Sequence, residues 1–351
     1  MEVCFLTSGE TLAVLDALQG QTAKAVKKAL TAKLGISRFK QRLFVEVEDG
    51  LREMQDDEVL DPTRLKIQLV VLEFWPPDEE ETQKMISASR GNDLVALEQL
   101  LQKPRNPNEA SNDGKTPLFH AAAQGHTRLM ELLLEAGANT DEPEFARGRT
   151  PLFAAARNDH LNAVRFLVEN GAAKDQGDND GETPLWVAAR NGHLNVVRFL
   201  AEVGAAKDRT ANNGATPLLR AAQYGYLDIV RLLVEHGAAK DQADNYAIVI
   251  CFIFGCTYGA TPLLRAAQNG HPDIVRFLLE HGAAKDQADS SGYTPLLLAA
   301  QNGHLDLVRF LVEHGAAKDQ ASRTGATPLL LTAQNGHHDI VRFLVVVGAL
   351  A

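Results

Sequence analysis

From residue 112 onward, short apolar stretches alternate with polar turns at a nearly fixed spacing. The triplet Thr-Pro-Leu begins at Thr116, Thr150, Thr183, Thr216, Thr261, Thr294 and Thr327, with steps of 34, 33, 33, 45, 33 and 33 residues. Within one unit, Leu296, Ala299 and Ala300 recur at helical spacing, and Leu307, Val308, Phe310 and Leu311 form a second apolar stripe. Pro295 suits the first turn of a helix, where its missing N–H costs nothing, and Gly303 and Gly315 fit the left-handed positions that end helices. Each unit is therefore predicted to be two short antiparallel helices and a turn. Such a hairpin cannot bury its apolar face alone, so the units must stack. Residues 82–111 read as a degenerate, more polar unit of the same kind, with helices over 85–91 and 94–101.

The first 75 residues follow another pattern. Met1–Leu6 and Thr11–Leu15 alternate like strands about a Ser8-Gly9-Glu10 turn. Thr22 is an N-cap for a helix that carries Val26 and Leu30 on one face and stops at Gly35. Gln41–Val47 and Leu65–Leu72 are two further strands, and Glu48-Asp49-Gly50 is a turn. Pro76-Pro77-Asp78-Glu79-Glu80-Glu81 reads as a stiff, charged linker.

The repeat length, the Thr-Pro-Leu opening, the Ala-Ala pair, the Gly-His step and the Gly-Ala exit resemble the ankyrin repeat family over about 112–351. That resemblance implies a curved solenoid whose hairpin tips and first helices form a concave protein-binding face. The family's His after Thr-Pro-Leu is replaced throughout, by Phe119, Phe153, Trp186, Leu219, Leu264, Leu297 and Leu330, so apolar packing is expected in place of its hydrogen bonds. The order strand, strand, helix, strand, strand, with Thr22–Lys27 and Gln41–Phe44, resembles a ubiquitin-like β-grasp. The chain runs on through Glu73-Phe74-Trp75 without a terminal Gly-Gly, so a conjugated modifier is not expected. Of that family's apolar patch, Phe44 and Val70 are retained while Ser8 and Gln68 are polar. The expected architecture is an α+β two-part chain: a ubiquitin-like β-grasp at 1–75, a linker at 76–81, a capping repeat at 82–111, and an all-α ankyrin-repeat solenoid at 112–351 with an insert at 246–257.

Composition narrows the function. A hydrophobic fraction of 45% and a charged fraction of 23% exclude global disorder. Lys+Arg minus Asp+Glu is 35 − 45 = −10, which opposes nucleic acid and anionic lipid as partners. Three cysteines cannot make a disulfide framework, and no basic region followed by an apolar run marks a signal peptide. The longest apolar run, Ala247–Phe254, is too short to span a bilayer. A cytoplasmic chain is expected, with the nucleus as the alternative, and neither secretion nor a membrane.

Eleven histidines invite a metal or catalytic reading, but most sit in repeat slots. Histidines in successive slots stand about 10 Å apart, the spacing of packed helices, too far to share one zinc. Cys251 and Cys256 have no second pair and no nearby His. No phosphate loop, Ser/His/Asp arrangement or paired-acid motif stands apart from the repeats. No enzyme, cofactor or metal is expected. The Lys-Asp steps, such as Lys174-Asp175 and Lys240-Asp241, are expected in solvent at hairpin tips. Arg165, Arg198, Arg231, Arg276, Arg309 and Arg342 should form an outer ladder with nearby Glu.

A protein-binding scaffold follows. Its contacts are expected at hairpin residues before each Thr-Pro-Leu, namely Arg147, Arg149, Asp180, Glu182, Asn213, Tyr258 and Tyr293. Residues after each Ala-Ala pair form the second class: Arg157, Arg190, Gln223, Tyr224, Gln268, Gln301 and Gln334. Arg157, Arg190, Tyr224, Tyr258 and Tyr293 carry the chemistry that dominates interfaces. The alternative is an adaptor of the ubiquitin system, with Phe44 and Val70 docking a ligase or proteasome factor while the repeats hold a client. A third reading is recent duplication without a selected partner, because 261–289 and 294–322 differ at only five of 29 positions. The insert 246–257 is either a partner-contact loop or a retained in-frame intron. Phe343–Val347 and Leu350 are apolar within one short stretch, so association through that end is expected.

Overall fold

Alternation of inward and outward side chains builds the N-terminal sheet. The computed structural model describes residues 2–5, 11–14, 22–34, 36–47, 50–59, 66–245 and 259–349. The expected turns at Ser8-Gly9-Glu10 and Glu48-Asp49, the stop at Gly35, the insert 246–257, Tyr258 and Leu350 lie outside the described residues. Strands β1 (Glu2–Phe5) and β2 (Thr11–Val14) precede helix α1 (Ala23–Leu34), followed by β3 (Gln41–Val47), β4 (Gly50–Glu53) and β5 (Lys66–Val71). Register places Leu43 opposite Leu69 and Val45 opposite Ile67. These four side chains close on Val26 and Leu30 of α1. Strands β4, β3 and β5 form an antiparallel set, β1 joins β5 in parallel, and the full order is β2-β1-β5-β3-β4. The apolar pattern does not predict β4, a four-residue edge strand with an exposed Leu51.

Residues 79–81, expected as linker, are helical. Asp78 caps α2 (Glu79–Gly91) by accepting the Glu80 N–H at 3.0 Å. Glu79, Glu80 and Glu81 thus occupy the first turn, where the helix dipole favours negative charge. Helices α3 (Leu94–Leu101), α4 (Pro117–Gln124) and α5 (Thr127–Glu135) complete the two helical pairs of this unit, with α2 against α4 and α3 against α5. The compact units of the chain are Met1–Ala146 and Arg147–Ala351, so the sheet and the first two helical pairs share one body.

A buried arginine joins them. The Arg38 side chain is 2% exposed. Its guanidinium lies 2.7 Å from Glu135 of α5, 3.3 Å from Glu98 of α3 and 3.5 Å from Asp56, and stacks on the Phe39 ring at 3.9 Å. Lys24 and Lys28 add pairs to Glu98 and Glu135, and Lys27 binds Asp56 at 2.7 Å. Burial of this kind is tolerable only because every charge has a partner. The Lys24 hydrogen bond holds the Glu98 carboxyl below its ordinary range. Burial opposes ionisation at Asp56 and Glu135, yet hydrogen bonds from Lys27 and Gln102 to the first, and from Lys28 and Arg38 to the second, lower both.

The C-terminal unit contains α6 (Pro151–Arg157), α7 (Leu161–Glu169), α8 (Pro184–Asn191), α9 (Leu194–Glu202), α10 (Pro217–Tyr224) and α11 (Leu227–Glu235). After the insert come α12 (Pro262–Gln268), α13 (Pro272–Glu280), α14 (Pro295–Gln301), α15 (Leu305–Glu313), α16 (Pro328–Gln334) and α17 (His338–Ala349). Even-numbered helices pack on one another, as do odd-numbered ones, so each pair stacks on its neighbours. Each triplet Thr opens its helix by accepting the N–H three residues on, as Thr183 does from Trp186 at 3.2 Å. The hairpin around the insert closes normally: Asp244 N–H donates to Ala260 O at 3.0 Å, and Gly259 N–H to Asp244 O at 3.0 Å.

Three expectations about side chains change. At Trp186 a hydrogen bond accompanies the expected apolar packing, since the indole N–H donates to Ala215 O at 2.8 Å. Four of the six outer arginines meet aromatic rings rather than Glu, and Arg342 pairs with Asp339 at 4.0 Å. Arg165 lies 4.5 Å from the Phe199 ring, and Arg231, Arg276 and Arg309 face Phe277, Phe310 and Phe343 of the next repeat. A planar cation on a ring face gains attraction without full desolvation. The aspartates of the Lys-Asp steps are not merely solvated: Asp175 accepts Ala206 N–H at 2.7 Å and Asp241 accepts Ala284 N–H at 2.9 Å.

Stacking should therefore carry stability. Leu311, 1% exposed, is expected to cost about 2–5 kcal/mol when cut to Ala. The exposed Arg209→Ala should stay within about 0.5 kcal/mol. Similar losses in urea melts at the two sites would contradict this.

Acid should act first on the N-terminal unit. Burial, with Arg90 and Lys115 nearby, lowers His120 from 6.5 to about 4. For His120, Asp56, Glu98 and Glu135 the unfolded chain binds more protons than the folded one, so stability falls as pH falls. The His120 share is present above 6.5 and lost on descent towards about 4. The carboxylate share goes below the ordinary carboxylate range, as the lowered folded values are passed. In the C-terminal unit, burial raises Glu182 and Asp289, which has the opposite sign. Trp75 and Trp186 are the two tryptophans. In acid titrations of Trp186→Phe and Trp75→Phe, Trp75 emission is expected to change at the higher pH; coincident transitions would refute the assignment.

Candidate partner-binding surface

The backbone between repeats is spent on the scaffold. Along the hairpins, Asn179 N–H donates to Arg147 O at 2.8 Å, Asn212 to Asp180 at 2.8 Å and Asn245 to Asn213 at 3.1 Å. At the ends of the first helices, the histidine of each Gly-His step reaches back one repeat. His193 Nε2 meets Arg157 O at 2.8 Å, His271 meets Gln223 O at 3.1 Å, His304 meets Gln268 O at 3.2 Å and His337 meets Gln301 O at 3.0 Å. A carbonyl only accepts, so Nε2 carries the proton in each. The preceding glycine makes this possible. Gly303 sits at φ +79°, and a Cβ there would stand 2.6 Å from the His337 ring.

Side chains at the same positions are left outward. Arg157 and Arg190 are exposed, and Tyr224 is 45% exposed with its ring 6.4 Å from Tyr226. Among the described residues Arg157 forms no ion pair. Burial, then Arg149, Arg190 and Arg147, hold its guanidinium below its ordinary value. Arg190 lies 3.8 Å from Glu182, and Arg149 lies 3.4 Å from Asp178 and 5.2 Å from the Phe153 ring. The structure thus brings Arg147, Arg149, Arg157, Arg190 and Glu182 together.

Other predicted positions are committed to structure. Asn213 accepts Ala215 N–H at 3.0 Å. Gln223 and Gln268 accept from Arg220 at 2.6 Å and Arg265 at 3.1 Å. Tyr293 packs on Ala260, Leu264 and Leu298. Gln301 is half-buried, while Asp180 and Gln334 are exposed. Phe44 and Val70 are half-buried on the face of β3 and β5 opposite α1, beside Arg42, whose guanidinium donates to Gln102 O.

Arg220 and Arg265 were not among the predicted contacts. They occupy the fourth position after the triplet Thr, a column otherwise filled by His120, Ala154, Val187, Leu298 and Leu331. Two charges in that column were the available signal. Arg265 pairs with the buried Asp244 at 2.8 Å. Arg220 has Ala211 where Asp244 would be and lies 5.2 Å from the Trp186 ring.

At α16 and α17 a second, apolar surface appears. Ile340 and Leu344 are buried, while Leu329, Leu330, Val345 and Val346 are 41–58% exposed. Among the described residues no group of three or more His, Cys, Asp or Glu side chains could hold a metal, and no helix is long and apolar enough to cross a membrane.

Stacked helical pairs, joined by capped hairpins and by the Gly-His reach, define a repeat protein of the helix–turn–helix class. The sequence matches "Ankyrin repeats (3 copies)" over residues 84–178, 172–244 and 238–322, and "Ankyrin repeat" over 324–350. The chain belongs to the ankyrin-repeat family. It is also similar to an ankyrin repeat protein of Fowlpox virus (strain NVSL), with 40% identity over 65 residues. That stretch is 18% of this chain and 12% of the viral protein, so the chain spans only a small part of that relative. Ankyrin repeats indicate a protein–protein interaction scaffold, a generally non-catalytic module.

The apolar surface at α17 should drive self-association. Val346→Glu is expected to lower the mass seen by light scattering at high concentration. Equal monodispersity of the two proteins would show the patch to be inert.

Proposed function

We propose that this chain is a non-catalytic scaffold that binds a protein partner on the surface made by the hairpins and first helices of repeats 147–351. One observation carries the reading. At Arg157, Gln223, Gln268 and Gln301 the carbonyl is consumed by the next repeat's histidine, so the backbone is fixed. Exposed Arg157, Arg190 and Tyr224 stand on that fixed frame. Rigid placement lowers the entropy that binding must overcome. The outer helices, by contrast, use Arg165, Arg231, Arg276 and Arg309 on rings of the same chain.

The second reading is an adaptor of the ubiquitin system, with residues 1–75 a ubiquitin-like β-grasp and Phe44 and Val70 its contact points. The strand order β2-β1-β5-β3-β4, with α1 packed on β3 and β5, supports it. A cytoplasmic or nuclear location suits either role.

Site-specific photo-crosslinking in cells tests the two together. A crosslinker at Tyr224 or Arg190 is expected to give a discrete protein adduct, and one at Arg198 on the outer helix none. Adducts from Arg198 alone would overturn the scaffold surface. Adducts from Phe44 or Val70 to ligase or proteasome components would favour the adaptor.

A further inference from the structure

Repeats of nearly identical sequence allow one position to be compared with its counterparts. In the repeat opened by Thr261, hairpin Asp244 and helix-one Arg265 form a closed pair at 2.8 Å, both largely buried. In the repeat opened by Thr294 the acid is kept as Asp289 and the arginine becomes Leu298; the Asp289 Oδ2 is buried without a hydrogen bond, and burial raises that carboxyl. In the repeat opened by Thr216 the arginine is kept as Arg220 and the acid becomes Ala211. Arg220 is therefore a half-buried cation without its carboxylate. Among the described residues it forms no ion pair, and one amino group bonds Gln223 Oε1 at 2.6 Å.

A partly buried cation without a carboxylate is costly, and a guanidinium fork is shaped to take two carboxylate oxygens. The surroundings add to the demand. Arg220 and Arg190 both face the Trp186 ring, at 5.2 and 5.7 Å. Beyond Arg190 stand Arg157, Arg149 and Arg147, near enough to depress Arg157. The carboxylates nearby are already used: Asp244, whose charge reaches Arg220, is bound by Arg265 at 2.8 Å, and Asp178 accepts the N–H groups of Asp180 and Glu182 at 3.0 Å each and meets Arg149. This cluster of arginines lies in a chain of net charge −10, so it is a local feature.

We propose that the surface of α6, α8 and α10 binds an acidic segment of a partner protein, one of whose carboxylates completes the ion pair that Arg220 lacks. This deepens the scaffold reading and rests on it. A nucleic acid fits less well. Its backbone presents a negative charge about every 1.7 Å along the duplex, which calls for a long basic track. Here Asp178, Asp180 and Glu182 are interleaved with the arginines, and the chain's overall charge is repulsive. An extended peptide with a few spaced carboxylates matches the arginines without meeting those acids.

The test uses the full chain and a fluorescein-labelled hexaglutamate peptide, with hexalysine and oligo-dT as comparison probes, read by anisotropy at low and high salt. Two substitutions copy residues that sister repeats already carry, so the fold is expected to hold, and circular dichroism checks that it does. Arg220→Leu copies Leu298. Ala211→Asp copies Asp244 and supplies the missing carboxylate from within, removing no arginine. Salt-sensitive binding of hexaglutamate is expected, weakened about tenfold or more by either substitution. No binding of hexaglutamate, or equal binding by wild type and the folded Ala211→Asp chain, would overturn the proposal. Binding of oligo-dT in place of hexaglutamate, lost in the same variants, would replace it with a nucleic-acid site. Protein adducts from Tyr224 that persist in Arg220→Leu would leave the scaffold reading standing and remove only the acidic segment.

Discussion

The hydrogen bond from one repeat's histidine to a carbonyl in the last turn of the previous repeat's first helix sets the terms for the rest of the C-terminal unit. A helix of seven or eight residues leaves half its carbonyls without partners, and isolated helices of that length are marginal in water. The imidazole takes one such carbonyl, and the hairpin ladder takes another set of backbone groups. Each bond needs the neighbouring repeat at one register, so helix formation and stacking become a single event. The glycine before each histidine follows from this constraint: it ends the helix in the left-handed conformation and leaves room for the next ring. Where Tyr226 replaces the histidine, its ring packs on Gly192 in the same way, and a Cβ there would stand 2.7 Å from it.

This coupling explains what could be read from sequence. Helix boundaries were legible because Thr, Pro and Gly occupy fixed slots with fixed backbone demands. The observed α14 and α15, Pro295–Gln301 and Leu305–Glu313, fall where the apolar stripes lie. Strand β4 was not legible, because a short edge strand needs no buried alternation, and the start of α2 was masked by a run of acids that looks like linker. Cross-repeat partners were the least legible. Whether Arg309 meets a Glu of its own helix or Phe343 of the next repeat depends on rotamers across an interface, which spacing alone does not encode. The same holds for Arg220, whose meaning comes from Ala211 nine residues earlier.

The two units solve the problem of buried charge differently. Around Arg38, three carboxylates from three elements converge on one guanidinium, and lysines of α1 complete the balance. Such a network fixes a single docking geometry, because removing any member leaves another uncompensated. The repeats keep charge to the hairpin edge, where Asp175 and Asp241 hold the next repeat's backbone and Asp244 neutralises Arg265.

A repeat array evolves by copying, and copying preserves pairs only when both members travel together. Asp and Arg of the hairpin–helix pair lie nine positions apart in the repeat frame, within one unit, so duplication alone should copy them jointly. Their separation into Arg220 without acid and Asp289 without base therefore requires substitutions after copying, at positions that remain largely buried. Neutral drift in a buried site usually ends in apolar residues, because an orphaned charge is destabilising. Leu298 is that outcome on the arginine side. Arg220 is the other outcome: a cation without a carboxylate in its own hairpin, beside three exposed arginines and an indole. Gln223 and the Trp186 ring offset part of that cost, and a carboxylate from outside the chain would offset the rest.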